Sequence, residues 1–287
     1  MIKQIAKWSL LAVAVLSIAG GVYGGIMLYR VYYGKHLYET VPPRLPQELS
    51  HPAILVFSKT NGFRQDDAVH AANAALARIA RNRGWSAFFT ENGAVFNRAA
   101  LSRFDATVWN NTSGDVLAPD QKQVFRSYIE NGGGFVGIHG AGGDPRYKWR
   151  WYVETLIGAQ FKGHPLGPQF QHAVIHIEDP NDVTVRGLPK EWSRVDEWYS
   201  FEKSPRSEGV KVLATLDERT YRPRMLWKDI SMGTDHPIIW KHCVGKGRVF
   251  YSALGHSAST YEEPLHLREL DSAIAWAAGL SGDGCAQ

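Results

Sequence analysis

The sequence predicts an α/β fold: a parallel sheet with helices on both faces, extended by a strand-rich second half. Three observations carry this expectation. Between residues 53 and 139, short apolar runs alternate with stretches of helical periodicity, the pattern of parallel strands joined by crossover helices. From residue 169 onward, five strand-like runs follow one another with few helices between them. The chain has 287 residues, 44% hydrophobic and 21% charged, enough for one large domain with a full core.

The elements follow in chain order. Trp8 to Tyr29 contains no charged residue and follows Lys3 and Lys7. A helix of roughly 20 apolar residues spans a hydrocarbon core of about 30 Å. Tyr23, Tyr29, Tyr32 and Tyr33 suit the far interface, and the glycine pairs at 20–21 and 24–25 are tolerated in lipid. A signal peptide cleaved at Ser17-Ile18-Ala19 is the competing reading. The apolar run continues past that site, which favours a retained anchor over residues 1–33. Lys3 and Lys7 against Arg30 and Lys35 give only a small orientation bias; the expected arrangement leaves the body outside the cytoplasm, in the periplasm of a Gram-negative cell. Residues 34–52, with VPPRLPQELSHP, read as a polar, proline-bearing linker.

AILVF (Ala53–Phe57) is the first buried strand. In the following helix, apolar residues at 69, 72, 76, 79 and 80 share a face, Asp66 or Asp67 caps the start and Gly84 ends it. SAFFT is the second strand, Asn97–Phe104 a short helix, and ATVWN (Ala106–Asn110) the third strand. Pro119 opens a helix that Gly132 terminates, and GFVGIH is the fourth strand. QFQHAVIHIE, RVDEWYSFEKS, GVKVLATLD, HPIIWKHCV and GRVFYSAL follow as strands that extend the sheet and cover its carboxyl edge. EEPLHLRELDSAIAWAAGL is helical, and residues 281–287 form a tail.

Asn131 to Asp144, NGGGFVGIHGAGGD, admits two readings. Gly132, Gly134 and Gly137 match a dinucleotide fingerprint, but that motif needs its glycines after a strand and opening a helix. Here they follow a helix and launch a strand. The alternative is a tight turn at a strand's carboxyl end, where open α/β sheets bind ligands; it places His139 in the exposed slot of the turn. Ser58-Lys59-Thr60, Asn110 to Ser113, and the Asp144 and Arg146 loop converge on the same edge.

Composition narrows the function. The net charge is +4 with scattered basic residues, which argues against a nucleic-acid partner. Ten Trp, twelve Tyr and twelve Phe suit either sugar-stacking surfaces or an aromatic core. The two cysteines imply no disulfide framework; Cys243 reads as core and Cys285 as incidental.

Six segments together resemble the ThuA-like (trehalose utilisation) family: KTNGFR (Lys59–Arg64), WNNTSGDVLAPDQ (Trp109–Gln121), YIENGGGFVGIHGA (Tyr128–Ala141), DEWYSF (Asp196–Phe201), DHPIIW (Asp235–Trp240) and GRVFYSALGHS (Gly247–Ser257). The resemblance spans residues 53–280. It implies a class I glutamine amidotransferase-like fold, a flavodoxin-like doubly wound sheet. It also implies that His139 stands where amidotransferases keep a cysteine, so glutamine hydrolysis is not inherited. The sequence departs from the family pattern at Gln65, commonly His, and at Gly142-Gly143-Asp144. The family's association with disaccharide catabolism implies a sugar or keto-sugar substrate and sugar oxidoreductases as companions.

The expected catalytic residues are His139, Glu197 and His256. Lys59, Arg64, Asn110, Asn111, Thr112, Tyr199 and His236 are expected to bind substrate. Adjacent on a strand, Asp196 and Glu197 point to opposite faces, so one faces the site and the other is a surface or loop-anchoring group. Acid–base work on a keto-sugar needs no nucleotide cofactor, and none is expected. His139, His164, His172, His236 and His256 can supply imidazoles to a divalent ion, but no compact ligand spacing is present, and no metal ligand is assigned. A non-catalytic carbohydrate-binding or scaffold protein on an inherited enzyme fold is the alternative.

Overall fold

Apolar runs too short to form helices and rich in β-branched or aromatic residues become strands, and the amphipathic stretches between them become helices. The computed structural model describes residues 2–33 and 37–285. Its elements are α1 (Ile2–Tyr33), β1 (Ala53–Phe57), α2 (Asp66–Arg83), β2 (Ser86–Thr90), α3 (Arg98–Leu101), β3 (Ala106–Asn110), α4 (Pro119–Glu130) and β4 (Gly134–Ile138). The strand-rich half follows with β5 (Phe161–Gly163), β6 (Phe170–Ile177), β7 (Glu191–Glu197), β8 (Ser200–Phe201), β9 (Val210–Leu216), β10 (Arg224–Met225), β11 (Lys228–Asp229), β12 (Pro237–Val244) and β13 (Gly247–Ser252). Helix α5 (Pro264–Ala277) closes the domain. A π-helical turn over Trp151–Ile157 was not legible in the sequence.

Nine strands form one sheet in the order β2-β1-β3-β4-β13-β12-β9-β6-β7. The first five are parallel and follow the flavodoxin-like order, with β13 as the fifth strand. The remaining four are antiparallel. Helices α2 and α5 pack together, as do α3 and α4, giving the expected helical layers. The α2 cap differs in detail: Gln65 holds the N-cap position without a side-chain bond, and Asp66 and Asp67 lie in the first turn.

Most of the aromatic residues serve the core. Trp109 is fully buried; it stacks on Phe125 at 4.9 Å and meets Phe57 and Phe96 edge-on.

Three features of the chain differ from the sequence reading or lie beyond it. The segment read as a linker lies against the domain: Glu39 pairs with Lys59 at 2.6 Å and accepts the Gly93 N–H, Gln121 donates to the Glu39 carbonyl, and Arg103 donates to that of Pro46. Cys243 and Cys285 form a disulfide, correcting the reading of both as unbridged. The tail turns back so that Trp276 donates to the Asp283 carbonyl, and a separation of 42 residues carried no recognisable signature. Finally, α1 contains one span, Trp8–Ile26, long and apolar enough to cross a membrane. The side chains of Lys3, Lys7, Arg30 and Lys35, on which the orientation argument rested, and of Tyr32 and Tyr33, expected at the far interface, lie outside the described residues.

Candidate functional site

The site is assembled where the parallel strands end. Strand β4 stops at Ile138 and the chain turns immediately, with His139 in the left-handed region at φ 44°, a conformation rare for a residue bearing a Cβ. The turn is held from below: Tyr251 donates to the His139 carbonyl and Tyr152 to that of Ala141. Glycine is required within it, because a Cβ on Gly143 would lie 2.6 Å from the Tyr199 hydroxyl.

Strand β13 ends next to β4, and Gly255, at φ 122°, turns the chain so that His256 faces His139. Two groups hold this second turn. Tyr261 donates to the Gly255 carbonyl. The Asp196 carboxylate accepts the N–H groups of Gly255 (3.1 Å) and His256 (3.3 Å).

Glu197 arrives from the far side of the sheet. Strand β6 pairs with β9 only over Ile175–Ile177, but with β7 from Phe170 to His176. The Phe170–Glu197 end of the ribbon therefore overhangs, and it folds over the carboxyl ends of β4 and β13.

The result is a buried cluster. His139 Nε2 lies 3.1 Å from His256 Nδ1 and 3.3 Å from Glu197 Oε2, and the last two are 2.9 Å apart. The three side chains are between 2% and 7% exposed. His139 Nδ1 is 2.8 Å from the Ala253 carbonyl; a carbonyl only accepts, so Nδ1 carries a hydrogen, and in the neutral ring Nε2 is left with the lone pair. The second Glu197 oxygen is held by His164, at 3.1 Å, and by the Gln169 amide. Burial opposes the Glu197 charge, but the imidazoles of His139, His256 and His164 around it prevail and hold its carboxyl well below the usual range. Tyr199 stacks on His139 at 4.1 Å between ring centroids, and burial pushes its phenol up, so the hydroxyl keeps its proton.

Of the expected site residues, the structure brings together His139, Glu197, His256 and Tyr199. The others sit elsewhere. Lys59 is tied to Glu39 and the Leu37 carbonyl. Arg64 pairs with Asp66 and Glu91. His236 is fully buried between Glu218 and the Tyr199 carbonyl. Asn110 donates to Val69 and Asn73, and Asn111 to Asn110 and Tyr261. Thr112 bonds Tyr152. Asn111 and Thr112 brace the turns that carry the histidines, through Tyr261 and Tyr152, whereas Asn110 ties β3 to α2. Asp196 is the loop-anchoring member of its pair, fully buried against Arg194 at 3.0 Å.

Gln169 and Phe170 were missed as site residues, and His164 was named only among the imidazoles that could reach an ion. His164 and Gln169 hold Glu197, and Phe170 places its ring 5.1 Å from His256 while 43% exposed. Their only sequence signal is the pairing of residue 170 with residue 197 across the ribbon, which becomes visible once the register is known. A groove of about 720 Å³ opens at the opposite end of the strands, lined by Tyr128, Gly132 and Arg248; its lining contains no histidine, and it lies at the edge where open sheets do not bind ligands.

A family model described as ThuA, trehalose utilisation, matches residues 53–277. Among solved structures, a ThuA-like protein from Bacteroides uniformis superposes with a TM-score of 0.69 at 21% identity, covering 83% of this chain and 95% of its own. One from Parabacteroides merdae gives 0.59 at 20% identity, covering 79% and 89%. The cytoplasmic protein STM3548 of Salmonella typhimurium gives 0.51 at 11%, covering 78% and 98%. No curated protein matches the sequence.

Proposed function

The chain belongs to the ThuA family of trehalose utilisation, and on that premise we propose that it is an enzyme acting on a disaccharide or keto-sugar by acid–base chemistry, without amidotransferase activity. The observation that carries this reading is the buried convergence of His139, His256 and Glu197 at the carboxyl edge of the sheet. Two imidazoles against one carboxylate suit removal of a proton from carbon next to a carbonyl, the carboxylate stabilising the imidazolium that forms. That step leads to elimination of a glycosidic oxygen or to isomerisation. A glycosidase with two carboxylates is less well supported: it needs one protonated acid, whereas Glu197 is held ionised and Asp196 is spent on backbone amides and Arg194. An imidazole at position 139 does not replace the thiolate of an amidotransferase.

The segment 164–170 lies over the cluster through His164, Gln169 and Phe170. A sugar reaches the histidines when this segment moves, and the exposed face of Phe170 supplies a surface for a pyranose ring. We also place the domain outside the cytoplasm on a retained α1 anchor. The apolar span supports this, and so does the disulfide, a bond that persists in oxidising compartments. Sugar oxidoreductases that form or reduce the keto group are the companions this chemistry calls for.

The test is turnover of trehalose, sucrose and their 3-keto forms by the full-length, detergent-solubilised protein. Wild type should release product and His139→Ala should lose at least about 100-fold in rate. Equal turnover by the two proteins would overturn the assignment.

A further inference from the structure

We propose that His139 Nε2, His256 Nδ1 and Glu197 Oε2 bind one divalent first-row transition ion. The site is that of the reading above, but ion binding stands independently of any sugar chemistry.

The donor geometry is the first argument. The three atoms are 2.9, 3.1 and 3.3 Å apart. A triangle with these sides has its centre about 1.8 Å from each corner, so bonds of about 2.1 Å seat an ion about 1 Å from their plane. That arrangement is one face of an octahedron or tetrahedron, with the other positions open.

The second argument is hydrogen-bond supply. In the neutral imidazole, the form that ligates an ion, His139 Nε2 is a bare acceptor, because Nδ1 is committed to Ala253. Glu197 Oε2 is an acceptor too, and a proton on His256 Nδ1 makes a good bond to only one of them. A single cation satisfies all three lone pairs. It also balances a carboxylate that is 2% exposed and whose ion-pair partners are histidines, a charge that is costly to bury unpaired.

The third is the support behind each donor. His139 is oriented by the Ala253 carbonyl, Glu197 by His164 and Gln169, and the His256 backbone by Asp196. Ligating histidines and carboxylates are held by such outer contacts. Two imidazoles with one carboxylate suit zinc, cobalt or iron over magnesium or calcium, which prefer all-oxygen sites.

The test uses the full-length protein carrying an affinity tag without histidines, stripped with chelator and titrated with Co²⁺ while visible absorption is read. One equivalent should bind and be displaced by Zn²⁺. Glu197→Gln, which keeps the side chain's size, and His139→Ala should each weaken binding by about 100-fold or more. His172→Ala, on the exposed face of β6, should leave it unchanged. Thermal melts identify variants that fail to fold, and Glu197→Gln carries the comparison if His139→Ala does so. Absence of saturable Co²⁺ binding to folded wild type, or binding that Glu197→Gln leaves within about threefold, overturns the proposal. Ion binding is read without substrate, so the two readings fail separately. Chelator-insensitive turnover removes the ion and leaves the enzyme; a bound ion without turnover removes the enzyme and leaves the ion.

Discussion

Replacing Asp196 with Asn separates the support of the site from the site itself. Asp196 is fully buried, pairs with Arg194 at 3.0 Å and accepts the N–H groups of Gly255, His256 and Glu197. An asparagine keeps the shape but removes the charge opposite an Arg194 side chain that is 2% exposed. Breaking a buried pair by removing one partner costs about 3–5 kcal/mol. Glu263 remains 3.2 Å from Arg194, and Arg194 also lies over the Trp192 ring, so the lower end, about 3 kcal/mol, applies. At about 2–4 °C per kcal/mol for a domain of this size, the melting temperature should fall by about 6–12 °C. The asparagine amide also presents N–H groups where backbone N–H groups now donate, so the His256 turn loosens. Co²⁺ affinity should fall about 10–100-fold, as expected for loss of an outer contact. Scanning calorimetry and the cobalt titration read the two effects. Arg194→Met in the Asp196→Asn background should recover part of the stability, because the stranded charge is then gone. A melting temperature within about 2 °C of wild type, with unchanged cobalt affinity, would refute the reasoning.

Three further outcomes are expected. His242 is buried and its Nε2–H donates to the Thr155 carbonyl; desolvation pushes its pKa below the usual value despite that bond. The unfolded chain therefore binds this proton more readily, so the stability it contributes is complete above about pH 6.5 and is lost as pH falls below that value; urea unfolding between pH 5 and 8 should show the slope, and His242→Gln should flatten it. Gly143→Ala forces a Cβ to within 2.6 Å of the Tyr199 hydroxyl, which should cost about 1–3 kcal/mol and displace the ring from His139, lowering turnover more than stability. Cys285→Ser removes a link closing 42 residues and should cost about 2–4 kcal/mol, read as a lower melting temperature that dithiothreitol does not lower further.

How much of this was legible in the sequence depended on the range of the interaction. The five parallel strands are spelled by local patterns: AILVF, SAFFT, ATVWN, GFVGI and GRVFYS are short, apolar and bounded by turn residues, and each became a strand. His139 and His256 were legible for the same reason, since each stands just past such a run. Glu197 was singled out beside Asp196, and which of the two faces the site is decided by the register of β6 with β7. The roles of His164, Gln169 and Phe170 remained hidden because each comes from a partner far along the chain: Glu197 for His164 and Gln169, His256 for Phe170. Lys59, Arg64, Asn110, Asn111, Thr112 and His236 stand near strand ends, where polar residues also brace turns; only partner geometry separates a brace from a ligand contact. The Glu39 strap was illegible because it is held by scattered single groups, the Lys59, Gln121 and Arg103 side chains and the Gly93 N–H, none of which leaves a periodic trace.

The overhanging end of the β6–β7 ribbon also has a meaning for how the molecule matures. His139 and His256 are 117 residues apart in the chain, and Glu197 joins them from a strand at the opposite border of the sheet. No contiguous fragment shorter than residues 139–256 contains the cluster, and a chain emerging from synthesis lacks it until the fifth parallel strand has inserted between β4 and β12. Non-local closure of this kind is slow compared with formation of the amino-terminal β-α units. Competence is therefore acquired late and all at once, and a partly folded chain has no weakened version of the site to offer.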